Sequence, residues 1–241
     1  MALKIDGFEP ASGEVMPRLI MSIEALEKNG KTHFALTAPG PIAYFDFDIG
    51  TEGVINKFTA GKEIIVSEHR IPRDSDGGKG FDFARGYETF HKRFMAALNN
   101  KQVRTLIVDT MSEAWELLRM ARFGKLTQVM PRQYGPVNAE VRELIRQCFE
   151  HDKNVILVHK MKPQYVGDIW KGTYERAGFK DIGFLVQVNG QLGFDEGEFT
   201  CHITDCRQDM SLSGMDLAGP LCNFPILAQM VFPTVDPERW G

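Results

Sequence analysis

Apolar positions recur along the chain in two rhythms, one of strands and one of helices. Arg18–Glu24 (RLIMSIE) is an apolar, β-branched run after Pro17 and predicts a strand. Gly30–Ala38 predicts a short helix, stopped by Pro39, Gly40 and Pro41. Ile42–Phe47 (IAYFDF) predicts a second strand, and Gly61–Val66 a short third. Ser67–Arg85 is polar and glycine-rich and predicts a long surface loop. Tyr87, Phe90, Phe94 and Leu98 then fall on one face of a helix. Val103–Val108 has strand length and ends at Asp109, and Met111, Ala114, Trp115, Leu118 and Arg122 mark the next helix. After a break at Pro131–Pro136, Val137, Val141, Leu144, Ile145, Cys148 and Phe149 mark another. Asn154–Val158 reads as a buried strand ending at His159.

Strand alternating with helix predicts an α/β fold, a mainly parallel sheet flanked by helices on both faces. After Asp181 the pattern changes. Phe184–Val188 alternates, Asn189-Gly190 carries a hairpin signal, and Gln191–Phe194 returns. A second turn at Asp195–Glu198 precedes Phe199–Thr204, so antiparallel strands are expected at the C-terminal end. Asn223 is placed to cap a last helix running through Val231. The whole reads as a single domain over 1–241, with an irregular arm at 1–16 and a C-terminal extension at 208–241.

Composition narrows the classes. The 28 basic and 32 acidic side chains give a net charge of −4. That excludes a histone-like surface but leaves room for a local basic groove. No apolar run is long enough to span a membrane, and the first residues lack the apolar core of a secretory signal. A cytoplasmic location with no membrane partner is expected, and the four cysteines, without C-x-x-C spacing, read as reduced thiols.

The candidate chemistry lies in Ala25-Leu26-Glu27-Lys28-Asn29-Gly30-Lys31-Thr32. The pattern G-x-x-x-x-G-K-[ST] is matched except at its first glycine, here Ala25. Backbone N–H groups of such a loop cradle phosphates, and the following helix N-terminus adds its dipole. Gly30 allows close approach, Lys31 would reach the outer phosphates, and Thr32 would place its hydroxyl on Mg²⁺ with Asp109 as the second metal residue. If the first position needs a positive φ, alanine costs about 1–2 kcal/mol there.

The series resembles the small RecA-like P-loop ATPases of bacteriophages, a family that includes single-strand annealing and recombination proteins. The resemblance rests on Glu27–Thr32 with His33-Phe34-Ala35, on Pro39–Asp46 with Gly50-Thr51-Glu52-Gly53, on Leu106–Asp109 with Thr110, and on His159. It covers roughly residues 17–207. It implies a RecA-like core that binds ATP with Mg²⁺ through Glu27, Lys28, Asn29, Gly30, Lys31, Thr32 and His33. It also implies homo-oligomers, as a ring or filament, with single-stranded DNA as partner and a single-strand DNA-binding protein as a further one. Within it Asp48, the second acid of the Asp46–Asp48 pair, would polarise the attacking water, one methylene shorter than the usual glutamate. His159 would sense the terminal phosphate, and Arg207 could act on a neighbouring subunit's nucleotide.

Lys160–Lys180 adds a candidate DNA surface. It interleaves Lys160, Lys162, Lys171, Arg176 and Lys180 with Tyr165, Trp170, Tyr174 and Phe179. Cations for phosphates and aromatic faces for bases suit sequence-tolerant single-strand binding, and Lys160, Lys162, Trp170, Lys171 and Arg176 are its expected contacts. Arg70, Arg73, Lys79 and Arg85 form a weaker second patch. The reading is therefore a DNA-linked ATPase of recombination or replication. A non-catalytic nucleotide-binding interaction protein and a phosphotransferase on a small substrate stand as alternatives.

Overall fold

The computed structural model describes residues 6, 7, 13, 15–73, 80–124 and 130–241; most of the 1–16 arm and Lys79 lie outside them. The described residues form one nine-stranded sheet. Its parallel part is β3 (Ile64–Glu68), β2 (Ile42–Asp46), β4 (Thr105–Asp109), β5 (Asn154–Val166), β1 (Ile20–Ala25) and β7 (Val188–Asp195), side by side in that order. β8 (Glu198–Cys206) and β9 (Asp216–Ala218) follow β7 antiparallel, and β6 (Ile169–Arg176) pairs antiparallel with the far half of β5. A mixed α/β fold, mostly parallel and ending in antiparallel strands, is what the alternation of periods predicts.

The parallel strands are buried on both faces, so they read as continuous apolar runs. Successive side chains still alternate between the faces. Ile107, Ile156 and Val158 face α1 (Lys31–Leu36) and the C-terminal helix α6 (Phe224–Val231), whose Phe224, Leu227 and Ala228 are buried there with Trp240. Leu106, Val108, Val155 and Leu157 face α2 (Phe83–Asn99), α3 (Met111–Phe123) and α4 (Gly135–Cys148), which bury Phe90, Phe94, Leu118, Val141 and Leu144. Residues 208–241 thus help close one core. Asn223 caps α6 as expected, its side chain accepting from the Ile226 N–H at 3.0 Å. Among the described residues no helix is long and apolar enough to cross a membrane.

The chain departs from its sequence pattern in three places. β5 does not stop at His159 but continues to Val166 and turns at Gly167-Asp168 into β6, so the expected loop is a hairpin. Asn189-Gly190 is no turn: both lie inside β7, where a Cβ on Gly190 would sit 3.1 Å from Cys201 Sγ. The β7–β8 turn is the one expected at Asp195–Glu198, with Glu196 and Gly197 both at positive φ. Phe184 belongs to a short helix, α5 (Ile182–Leu185), rather than to a strand.

Candidate nucleotide site

β1 delivers the chain to the site. Its last residue, Ala25, is buried in the ladder opposite Lys160 of β5. The left-handed positions come later, at Lys28 (φ 61°) and Gly30 (φ 77°). The strain expected for alanine at the first position therefore does not arise. Gly30 is required twice over, because a Cβ there would also lie 2.7 Å from the Phe199 ring.

α1 begins at Lys31, whose ammonium donates to the Ala25 and Leu26 carbonyls at 3.1 and 2.7 Å. Burial lowers its pKa against the pull of Asp109 and Asp48. Thr32 Oγ1 donates to Asp109 Oδ2 at 2.7 Å, and the Tyr44 hydroxyl donates to the same oxygen at 2.5 Å. Burial pushes the Asp109 carboxyl above the usual range, although both hydroxyls hold it down. A hydroxyl and a carboxylate facing one another are the hard oxygen donors that Mg²⁺ takes, so Thr32 and Asp109 fit the ion. When bound, it would neutralise charge on phosphate oxygens.

Asp46 and Asp48 diverge. Asp46 accepts from the Asp48 N–H at 3.1 Å and from Thr51 Oγ1 at 2.8 Å, so it organises the loop. Asp48 accepts from Lys160 Nζ at 2.8 Å, and that ammonium donates also to Glu113 Oε1 at 2.7 Å. Asp48 and Lys160 line one cleft of about 710 Å³ with Glu27, Lys28, Asn29, Gly30, Lys31, Thr32, His33, Lys57, Asp109 and Phe199. The His33 ring lies parallel to Phe199, centroids 6.1 Å apart, and edge-on to Phe58 at 5.0 Å. Burial, with help from Lys57, lowers its pKa.

A family model described as an AAA domain matches residues 19–181. The chain belongs to this AAA-domain family. No curated protein matches it. Among solved structures, a KaiC-like protein from the archaeon Pyrococcus horikoshii is similar over 83% of this chain and 84% of that one, at 12% identity and a TM-score of 0.48. The match to the AAA domain runs from β1 through the β5–β6 hairpin and holds every cleft residue named above except Phe199.

Three expected roles need correction within this AAA domain. His159 does not line the cleft. It is fully buried, with both ring nitrogens unpartnered, and burial beside Arg176 drives its pKa well down. The reason is alternation: β5 continues past it, so His159 and Lys160 point to opposite faces. Lys160, expected on DNA, is the residue that enters the cleft. Arg176, also expected on DNA, is largely buried; its Nε donates to Glu24 Oε2 at 2.6 Å. Lys162, Trp170 and Lys171 remain on the exposed hairpin, where Trp170 packs edge-on to Tyr174 at 6.3 Å. Arg207 is exposed and donates to the Phe184 carbonyl.

Glu24, Tyr44, Lys57, Glu113 and Phe199 were not singled out in the sequence. Tyr44 carried a usable signal, since it lies two residues before Asp46 on one strand and so on the same face, while Glu113 lies four residues past Asp109 across a strand–helix junction. Phe199 carried none, since only tertiary packing brings it to Gly30.

Proposed function

We propose that this protein is a Mg²⁺-dependent ATPase that acts on single-stranded DNA, in recombination or replication, by annealing or strand exchange. The observation that carries this reading is the continuity of β5. One strand puts Lys160 into the nucleotide cleft and then leaves the sheet as an exposed hairpin bearing Lys162, Tyr165, Trp170, Lys171 and Tyr174. Exposed aromatic faces and lysines are what a sequence-tolerant single-strand site uses. ATP would lie with its phosphates on the Gly30 loop, Mg²⁺ on Thr32 and Asp109, and its base against Phe199 and His33. The resemblance to phage RecA-like ATPases supports assembly into a ring or filament that couples nucleotide state to DNA affinity, with a single-strand DNA-binding protein as a further partner.

Filter binding of a single-stranded oligonucleotide with ATP, with ADP and without nucleotide, beside phosphate release, tests the reading. The expected result is DNA affinity that differs between ATP and ADP, and phosphate release that DNA stimulates. DNA affinity equal in all three states defeats it. Tight DNA binding without phosphate release supports the non-catalytic alternative instead.

A further inference from the structure

Lys160 belongs to none of the motifs that define the cleft, yet it stands in the cleft wall beside the phosphate loop, opposite Ala25. Its backbone is fixed: the N–H donates to Ser112 Oγ at 3.0 Å. Its ammonium is held at 2.8 and 2.7 Å by carboxylates from two separate elements, Asp48 beyond β2 and Glu113 in the first turn of α3. Burial disfavours a charged lysine there, but the two bonds outweigh it and raise the pKa, so the group is a full cation. Both partners carry the charge sign of a phosphate. Both pairs are more than a third exposed, of the kind that costs little to break. Lys31 and Lys160 line the same cleft, so the two ammoniums flank one volume.

We propose that Lys160 is an exchangeable cation of the nucleotide site, held by Asp48 and Glu113 when no nucleotide is present and transferred to the terminal phosphate of a bound triphosphate. The transfer frees the Asp48 oxygen that the ammonium occupies, so that this oxygen too can accept from water. Glu113 is a positioning residue. It keeps the lysine at the cleft wall and competes with the phosphate for it. A diphosphate lacks the group that would win this competition, so Lys160 discriminates between the two nucleotides. The inference rests on the nucleotide reading above.

Calorimetry on the full chain with Mg²⁺ tests it, using a non-hydrolysable ATP analogue and ADP. Lys160→Ala should bind the analogue about tenfold more weakly while ADP stays within about twofold, and Lys160→Arg should recover most of the loss. Glu113→Gln should bind the analogue about two- to threefold more tightly with ADP unchanged, because one competing charge is gone. A parallel loss of both nucleotides in Lys160→Ala, or no loss of either, overturns the inference. A parent protein that binds neither nucleotide overturns the nucleotide reading itself, and this inference with it.

Discussion

Thr32 Oγ1 and Asp109 Oδ2 meet at 2.7 Å although 77 positions separate them in the chain. The strand before Thr32 and the strand that ends at Asp109 are not even neighbours, since β5 lies between β1 and β4. The bond crosses one strand of the sheet and ties the start of α1 to the end of β4.

Asp109→Asn should fold and lose Mg²⁺-dependent hydrolysis. The amide oxygen can still accept from Thr32 and Tyr44, while the charge that a hard cation needs is gone. Because burial already opposes that charge, thermal stability should hold or rise slightly. Phosphate release and a melting curve on the same preparation check both halves; hydrolysis at the parent rate contradicts the metal assignment.

Lys31→Ala should weaken ATP and ADP alike, by at least about tenfold, or roughly 1.4 kcal/mol. The ammonium lies at the helix start, where it donates to two backbone carbonyls that an arriving phosphate would replace. Calorimetry with both nucleotides reads it, and unchanged affinity removes the phosphate loop from the account.

The hairpin substitutions should separate by kind. Lys171→Ala should flatten the salt slope of log affinity for single strands by about 0.7, one phosphate contact. Trp170→Ala should cost about 1–3 kcal/mol of binding with little change in slope. Arg176→Ala should leave the slope alone and instead destabilise the fold by about 3–5 kcal/mol, because it strands the largely buried Glu24 carboxylate. Salt-dependent filter binding and denaturant melts distinguish the three. A slope change in Arg176→Ala would return that residue to the DNA surface.

Stability should fall as pH drops below about 6.5. His69 is buried between Phe45, Phe47 and Phe90, and burial with Arg93 nearby holds its pKa down to about 4, against a weaker pull from Asp46. The unfolded chain therefore takes the proton first, and between about 6.5 and 4 the fold loses at most about 1.4 kcal/mol per pH unit on this account. Above that window His69 is neutral in both states and contributes no slope. His159 acts in the same direction. His69→Phe should flatten the dependence measured by denaturant melts at a series of pH values; an unaltered slope contradicts it.

Legibility in the sequence followed the range of the interactions involved. The parallel strands and amphipathic helices were readable because burial on two faces or one imposes its period locally, as with Val155–Val158 and Tyr87–Leu98. That the Gly30-Lys31-Thr32 turn and Asp109 meet in one cleft was readable because the chemistry expected of them demands particular residue types at those two strand ends. The His159–Lys160 assignment failed on one question, where β5 ends. Alternation means that extending a strand past a residue decides which neighbour faces the site, and the polar hairpin half of β5 carries no burial period to announce its continuation. Asn189-Gly190 misled for a related reason. The side chain of Asn189 is consumed by Asp205 and the Gly183 carbonyl, and Gly190 serves the close approach of β8, so a turn-like pair does the work of packing.

β5 is thirteen residues long, and from Lys160 outward it has no partner in the sheet but β1 at one residue and then only β6. At about 3.3 Å per residue, its outer seven residues project roughly 20 Å as a two-stranded ladder. Such an arm is a lever whose fulcrum is the Ser112 hydroxyl that accepts from the Lys160 N–H and donates to the Ala177 carbonyl, clasping both strands at their root. A rotation at that clasp would be carried outward toward Gly167 along the ladder, through the one place between Pro163 and Tyr165 where its register shifts.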